Sequence, residues 1–157
     1  MNIIYRKAAL NDLKSIQKLN FELCKKEFKE FDNTINYKYA LQKKGADYFK
    51  KRITRKDGFA FVALDENKII GYIVGGIADI EDYRNIKKLG EAENMIIDES
   101  YRGKGIGSML FKEFIAWCKS KKIHRVKVVI SATNKKSIDF HKKMGFSDYN
   151  VTLEKII

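Results

Sequence analysis

The stretch from residue 89 to 121 limits the fold most tightly. Leu89 to Ile97 has the apolar character of a strand. Tyr101-Arg-Gly-Lys-Gly-Ile-Gly107 follows, with glycines at 103, 105 and 107. Ile106 to Lys121 then reads as a helix, with Ile106, Leu110, Phe114 and Trp117 on one face. A strand that passes through a glycine turn into an amphipathic helix belongs to a sheet with helices packed on it.

The rest of the chain fits that frame. Ile3 to Arg6 reads as an opening strand, and Asn11 or Asp12 can cap a helix carrying Leu13, Ile16, Leu19 and Leu23. A second helix is expected from about Tyr37 to Ile53, ended by Lys56-Asp57-Gly58. Phe59 to Leu64 and Ile69 to Ile80 read as a hairpin turned by Asp65-Glu-Asn-Lys68, with Glu81 to Lys88 a charged connection. Val126, Val128 and Ile130 alternate as a strand, and Ser137 to Met144 is a short helix stopped by Gly145. Phe146 and Val151 to Lys155 are read as two last short strands. The expectation is an α/β fold: one mixed sheet of six to seven strands with about four helices, in a single domain over residues 1–157.

Composition excludes more than it selects. With 45% hydrophobic and 33% charged residues, the chain reads as globular. No apolar run approaches the roughly 20 residues of a membrane span, and the first residues lack the apolar core of a secretory signal. Cytoplasmic residence is expected. Cys24 and Cys118 belong to no CxxC pair and read as reduced core or near-core thiols. Neither they nor His124 and His141 have metal-ligand spacing, so no metal is expected. The net charge of +12 admits a nucleic acid, an anionic membrane surface or an anionic cofactor as partner. Its lysines are spread along the chain, as on a solvated surface.

The glycine turn carries the chemistry. At a helix N-terminus, backbone N–H groups without helical acceptors and the helix dipole both favour an anion. Glycine lets phosphate oxygens approach the backbone closely, and Arg102 and Lys104 add positive charge. The glycines do not fit the dinucleotide spacing GxGxxG. Lys104 is followed by Gly105, so the segment is not a P-loop either. A phosphate or pyrophosphate cradle remains, against the plainer reading of a flexible turn before a helix.

Arg102-Gly-Lys-Gly-Ile-Gly107, between its strand and helix, resembles the acetyl-CoA signature Gln/Arg-x-x-Gly-x-Gly/Ala of the GNAT superfamily of N-acetyltransferases. Asn134-Lys-Lys-Ser-Ile-Asp-Phe-His-Lys-Lys-Met-Gly-Phe146 is similar to the second signature of that family, Asn-x-x-Ala-x-x-Phe-Tyr-x-x-x-Gly-Phe. The likeness covers essentially the whole chain.

The resemblance implies acetyl-CoA as co-substrate, with its pyrophosphate on the backbone amides of Arg102, Gly103, Lys104, Gly105, Ile106, Gly107 and Ser108. It implies a pantetheine arm paired with the backbone of Met95, Ile96 and Ile97, where this strand and Val126 to Ser131 splay apart. Asn134 would contact the cofactor or cap the next helix. A backbone N–H of the bulged strand, that of Met95, would meet the oxyanion. Glu91 and Glu93, two apart and so on one strand face, are the candidate bases. Where the family usually has a tyrosine acid this chain has His141, which either donates that proton or lies on the helix surface.

By the same resemblance the acceptor is a primary amine: a polyamine, an aminoglycoside or a peptide amine. Asp79 to Asp82, Glu91 and Glu93 are read either as an acidic rim for it or as ordinary surface charge, and by the family's layout the loop Phe28 to Tyr39, with Phe31, Tyr37 and Tyr39, borders its cleft. Two other functions stay open: a silent acetyl-CoA sensor, and a basic nucleic-acid-binding protein using Lys119 to Lys122 and His124 to Lys127. Homodimers are common in the family; the sequence does not fix the oligomeric state.

Overall fold

The computed structural model describes residues 2–157. Five strands form one sheet in the order β1-β2-β3-β4-β5. They are β1 (Ile3–Lys7), β2 (Gly58–Asp65), β3 (Lys68–Ala78), β4 (Leu89–Ile97) and β5 (Val126–Lys127). Neighbours are antiparallel except β4 and β5, which are parallel. Four α-helices cover the sheet: α1 (Leu13–Glu30), α2 (Lys43–Thr54), α3 (Ile106–Ser120) and α4 (Lys135–Lys143).

The central strands are buried on both faces, which is why β2 and β3 are nearly continuous apolar runs. Alternate residues divide between two cores. Phe59, Ala63, Ile70 and Ile73 pack with Ile106, Leu110, Phe111, Phe114 and Cys118 of α3. Ala60, Val62, Leu64, Tyr72, Val74 and Ile96 pack with Ile16 of α1 and Phe49 of α2. The mixed α/β fold and the four helices agree with the sequence; both cysteines are free thiols.

Three expectations are corrected. Asp12 does not cap α1 with its side chain. Its carboxylate instead pairs with Arg6 at 2.6 and 2.9 Å and accepts from the Ala9 N–H. Residues 37–42 do not extend α2; they hold a separate 3-10 turn, Tyr39–Leu41. The sheet has five strands rather than six or seven. β5 stops at Lys127, where its pairing with β4 ends at Glu91, so Val128 and Ile130 lie outside the ladder. Residues 146–157 form no strand, so neither Phe146 nor Val151 to Lys155 is one, and Val151, Leu153 and Ile156 lie exposed. Alternation alone does not make a strand when no sheet edge is there to receive it.

One irregularity positions the site. Val74 pairs with Asn94 and Gly75 with Ala92, so Glu93 has no partner in β3: a β-bulge. Gly75 is required there, because a Cβ would fall on the Glu91 carbonyl oxygen and 3.0 Å from the Phe114 ring. Gly75→Val is expected to cost about 2 kcal/mol or more. Urea unfolding checks this: the midpoint should fall well below that of the wild type, and an unchanged midpoint would show that the strand adapts freely.

Candidate active site

The bulge turns two successive side chains to the same side. Glu93 and Asn94 both face α1 and α2. Tyr48 donates a hydrogen bond to Glu93, and Arg52 closes a two-pronged ion pair on it, Nε lying 2.8 Å from Oε2. Asn94 Oδ1 accepts from Asn20 Nδ2 at 3.2 Å, and Asn94 Nδ2 donates to Tyr48 Oη at 3.3 Å. Asn20 also donates to Tyr72 Oη at 2.9 Å. Burial raises the Tyr48 and Tyr72 phenols above their ordinary value, and for Tyr48 the Glu93 charge adds to this. Both stay protonated and act as neutral hydrogen-bonding groups.

Past the bulge, alternation resumes. Met95 and Ile97 point to the α3 side and Ile96 into the opposite core. Adjacent β4 residues therefore line two different clefts. The first, of about 310 Å³, is lined by Met95, Ile97, Tyr101, Arg102, Gly103, the stretch from Gly105 to Ser108, and Phe140. The second, of about 300 Å³, is lined by Asn20, Cys24, Tyr39, Tyr48, Phe49 and Asn94.

Backbone polarity along β4 follows from the ladder. Asp98 N–H donates to Ile70 O at 2.8 Å, which sets the phase. Hydrogen-bonded and non-bonded pairs alternate, so Ile96 and Asn94 bond to β3 while Met95 and Ile97 turn their backbone groups to the far edge. Along that edge the β5 pairing ends at Glu91. The Ile97 carbonyl is taken by Arg102 Nε at 3.0 Å, which ties the end of β4 to the turn.

In the turn, Gly103 and Gly105 have φ of +76° and +78°, the left-handed region that favours glycine. Gly105 begins α3 without a side-chain cap. The N–H groups of Ile106, Gly107 and Ser108 are thus left for another acceptor; the first in-helix bond runs from Met109 to Gly105. This donor set fits a pyrophosphate. Lys104 Nζ lies 3.1 Å from Ser100 O and over the Tyr101 ring. Among the described residues no group of His, Cys, Asp and Glu could hold a metal ion, and no helix is long and apolar enough to cross a membrane.

The other candidates lie elsewhere. Glu91 pairs with Lys127 at 3.3 Å where β4 and β5 are still joined. Asn134 Oδ1 accepts from Ser137 N–H at 3.2 Å and caps α4. His141 is buried rather than on the helix surface, and it is Phe140 that lines the first cleft. The His141 ring sits among Phe111, Phe140 and Phe146, with Nδ1 2.8 Å from the Ser137 carbonyl. A carbonyl only accepts, so Nδ1 carries the proton. Burial lowers the imidazole below its ordinary 6.5. Of the acidic rim, Glu81 pairs with Arg84, while Glu91 and Glu93 have cationic partners. From the loop, Tyr39 reaches the second cleft, while Tyr37 packs with tilted rings against Phe21 and Phe28. Asn20, Tyr48 and Asn94 were missed from sequence. Asn94 stands out only as a polar residue next to Glu93 in β4, and nothing local in the sequence ties Asn20 or Tyr48 to it.

The profile of the Acetyltransferase (GNAT) family matches residues 21–146. The chain belongs to that family. An uncharacterized N-acetyltransferase of Methanocaldococcus jannaschii is 32% identical over 133 residues, which is 83% of this chain and 56% of that protein. The chain thus spans little more than half of that relative's length. A predicted acetyltransferase from Clostridium acetobutylicum, solved with acetyl-CoA, shares the fold with a TM-score of 0.79 at 23% identity, over 99% of this chain and 96% of that one. The aminoglycoside N-acetyltransferase AAC(6')-Iy, solved with a bisubstrate analog, shares it with a TM-score of 0.77 at 16% identity, over 100% and 99% of the two chains.

The buried His141 has a consequence for stability. The unfolded imidazole takes up a proton near pH 6.5, while the folded one resists until lower pH. The unfolded state therefore binds more protons below pH 6.5, and stability falls as pH falls through that value. His141→Phe is expected to show a smaller drop in Tm between pH 7 and pH 5 than the wild type. Equal drops would mean that the folded ring protonates freely.

Proposed function

We propose that the chain transfers an acetyl group from acetyl-CoA to a primary amine by direct attack in a ternary complex. The observation that carries this reading is the division of labour at β4. Met95 lines a cleft that ends in an anion-binding turn, and Asn94, the next residue, lines a separate cleft with a polar floor.

The amides of Gly103 through Ser108 hold the pyrophosphate, helped by the α3 dipole, while the Arg102 N–H is taken by the Glu99 carbonyl at 3.3 Å. The backbone of Met95, and the N–H of Ile97, pair with the pantetheine arm along the edge that β5 leaves open. Ile96, bonded to β3, contributes through packing. The acetyl group then lies at the bulge, where the Met95 N–H meets the oxyanion as the amine adds to the thioester carbonyl. The amine must first lose a proton, since its ordinary pKa is about 10.4. Glu93 is the acid nearest the bulge and takes that proton through ordered water, with Tyr48 and Arg52 fixing its position. Glu91 stands four residues from Met95, roughly 13 Å along an extended strand, and serves to join β4 to β5. With His141 enclosed by phenylalanine rings, the departing thiolate takes its proton from water, and Asn134 acts as a helix cap. The acceptor is a polyamine, an aminoglycoside or a peptide amine, and the reaction takes place in the cytoplasm.

A thiol-release assay with acetyl-CoA against a panel of these amines tests the proposal. Release should depend on the amine. Glu93→Gln should lower kcat/KM by about 100-fold or more, the usual scale for loss of a general base, and Glu91→Gln should change it far less. Amine-independent release, or none with any amine, would overturn acetyl transfer; full activity in Glu93→Gln would remove Glu93 from it.

A further inference from the structure

In the second cleft the nearby charges are settled except for one. The floor formed by Asn20, Asn94, Tyr48 and Tyr72 is neutral and internally hydrogen bonded. Glu93 is neutralised by Arg52. Glu27 is different. It follows Asn20 and Cys24 at helical positions i, i+4 and i+7, so the three share one face of α1. It is half-buried, yet it makes no ion pair or side-chain hydrogen bond among the described residues. This is unusual in a chain with 32 lysines and arginines and only 20 acids. The neighbouring Lys26 is turned away to Glu30 and Glu99, and Lys25 lies over the Phe21 ring.

Desolvation raises the Glu27 carboxyl above its ordinary value, a cost that a cation beside it would offset. Its charge also reaches the cleft: burial, with a smaller push from the Glu27 carboxylate, raises the Cys24 thiol to about 11. Resting on the acetyl-transfer reading, we infer that Glu27 binds a second cationic group of the acceptor, so that the acceptor is a di- or polycationic amine. The reacting nitrogen must be neutral to attack, so it is not the group that Glu27 holds. At 1.5 Å per residue, Glu27 stands about 10 Å along α1 from Asn20, and Asn20 meets Asn94 beside the transfer point. The preferred acceptor therefore carries its second charge about one such length from the nitrogen that is acetylated. The carboxylate also gives a cation a local attraction on a protein whose net charge of +12 repels it.

The probes are octane-1,8-diamine, its neutral-ended match 8-aminooctan-1-ol, and the short propane-1,3-diamine. Thiol release and calorimetric binding, with and without CoA, are measured on the wild type and on Glu27→Gln. The wild type should prefer the long diamine to the amino alcohol by about tenfold in KM and in Kd, the scale of one charge-assisted contact. Glu27→Gln should abolish that preference while leaving kcat, and KM for the amino alcohol, unchanged. Glu27→Asp should restore part of it. Equal treatment of the two long probes by the wild type, or a preference that survives in Glu27→Gln, overturns the inference. Tighter binding of the long diamine without thiol release supports Glu27 as the anchor and contradicts acetyl transfer. Amine-dependent release unaffected by Glu27→Gln does the reverse.

Discussion

The bulge at Glu93 is the constraint on which the rest of the site depends. A regular β4 would send Glu93 and Asn94 to opposite faces. With one extra residue in β4, both turn to α1 and α2, and Met95 and Ile97 fall on the α3 side. The parallel pairing with β5 ends at Glu91, two residues before the bulge, and beyond it the β4 edge is unpaired. Two clefts and a fixed acid thus meet at a single insertion. Gly75 permits it, because no side chain would fit opposite.

Electrostatics then separates the two sides of the strand. On the α3 side, amides at a helix start and two left-handed glycines concentrate positive potential with little help from side chains. Arg102 and Lys104 are largely occupied in fastening the turn to Ile97 and Ser100. On the other side the buried polar groups satisfy one another, and Arg52 neutralises Glu93. A partly buried pair of this kind is a weak source of stability but a strict one for geometry, since removing either partner leaves the other's charge without its counter-ion. Tyr48 and Asn94 are held in place through it.

Much of this organisation was legible in the residues themselves. The β4 limits, the amphipathic α3 and the glycine turn all come from local patterns that tertiary packing then used, and the family follows from the two signatures. What stayed hidden depends on neighbours distant in sequence. The Asn20–Asn94 and Arg52–Glu93 contacts join α1 and α2 to β4, and no local period announces them. Asp12 reads as a helix cap until Arg6 is seen beside it. His141 occupies a place expected of a tyrosine, but three phenylalanine rings enclose it. The final alternating segment has the pattern of a strand and no edge to pair with.

Amide chemical-shift mapping with CoA is the most direct measurement of the central claim, that the edge of β4 and the following turn form one donor site. Titration should perturb the amides of Met95, Ile97 and Arg102 through Ser108 together, with a single dissociation constant, and leave those of α2 nearly unmoved. Shifts confined to exposed lysine-rich surfaces, or absent from the turn, would contradict the account.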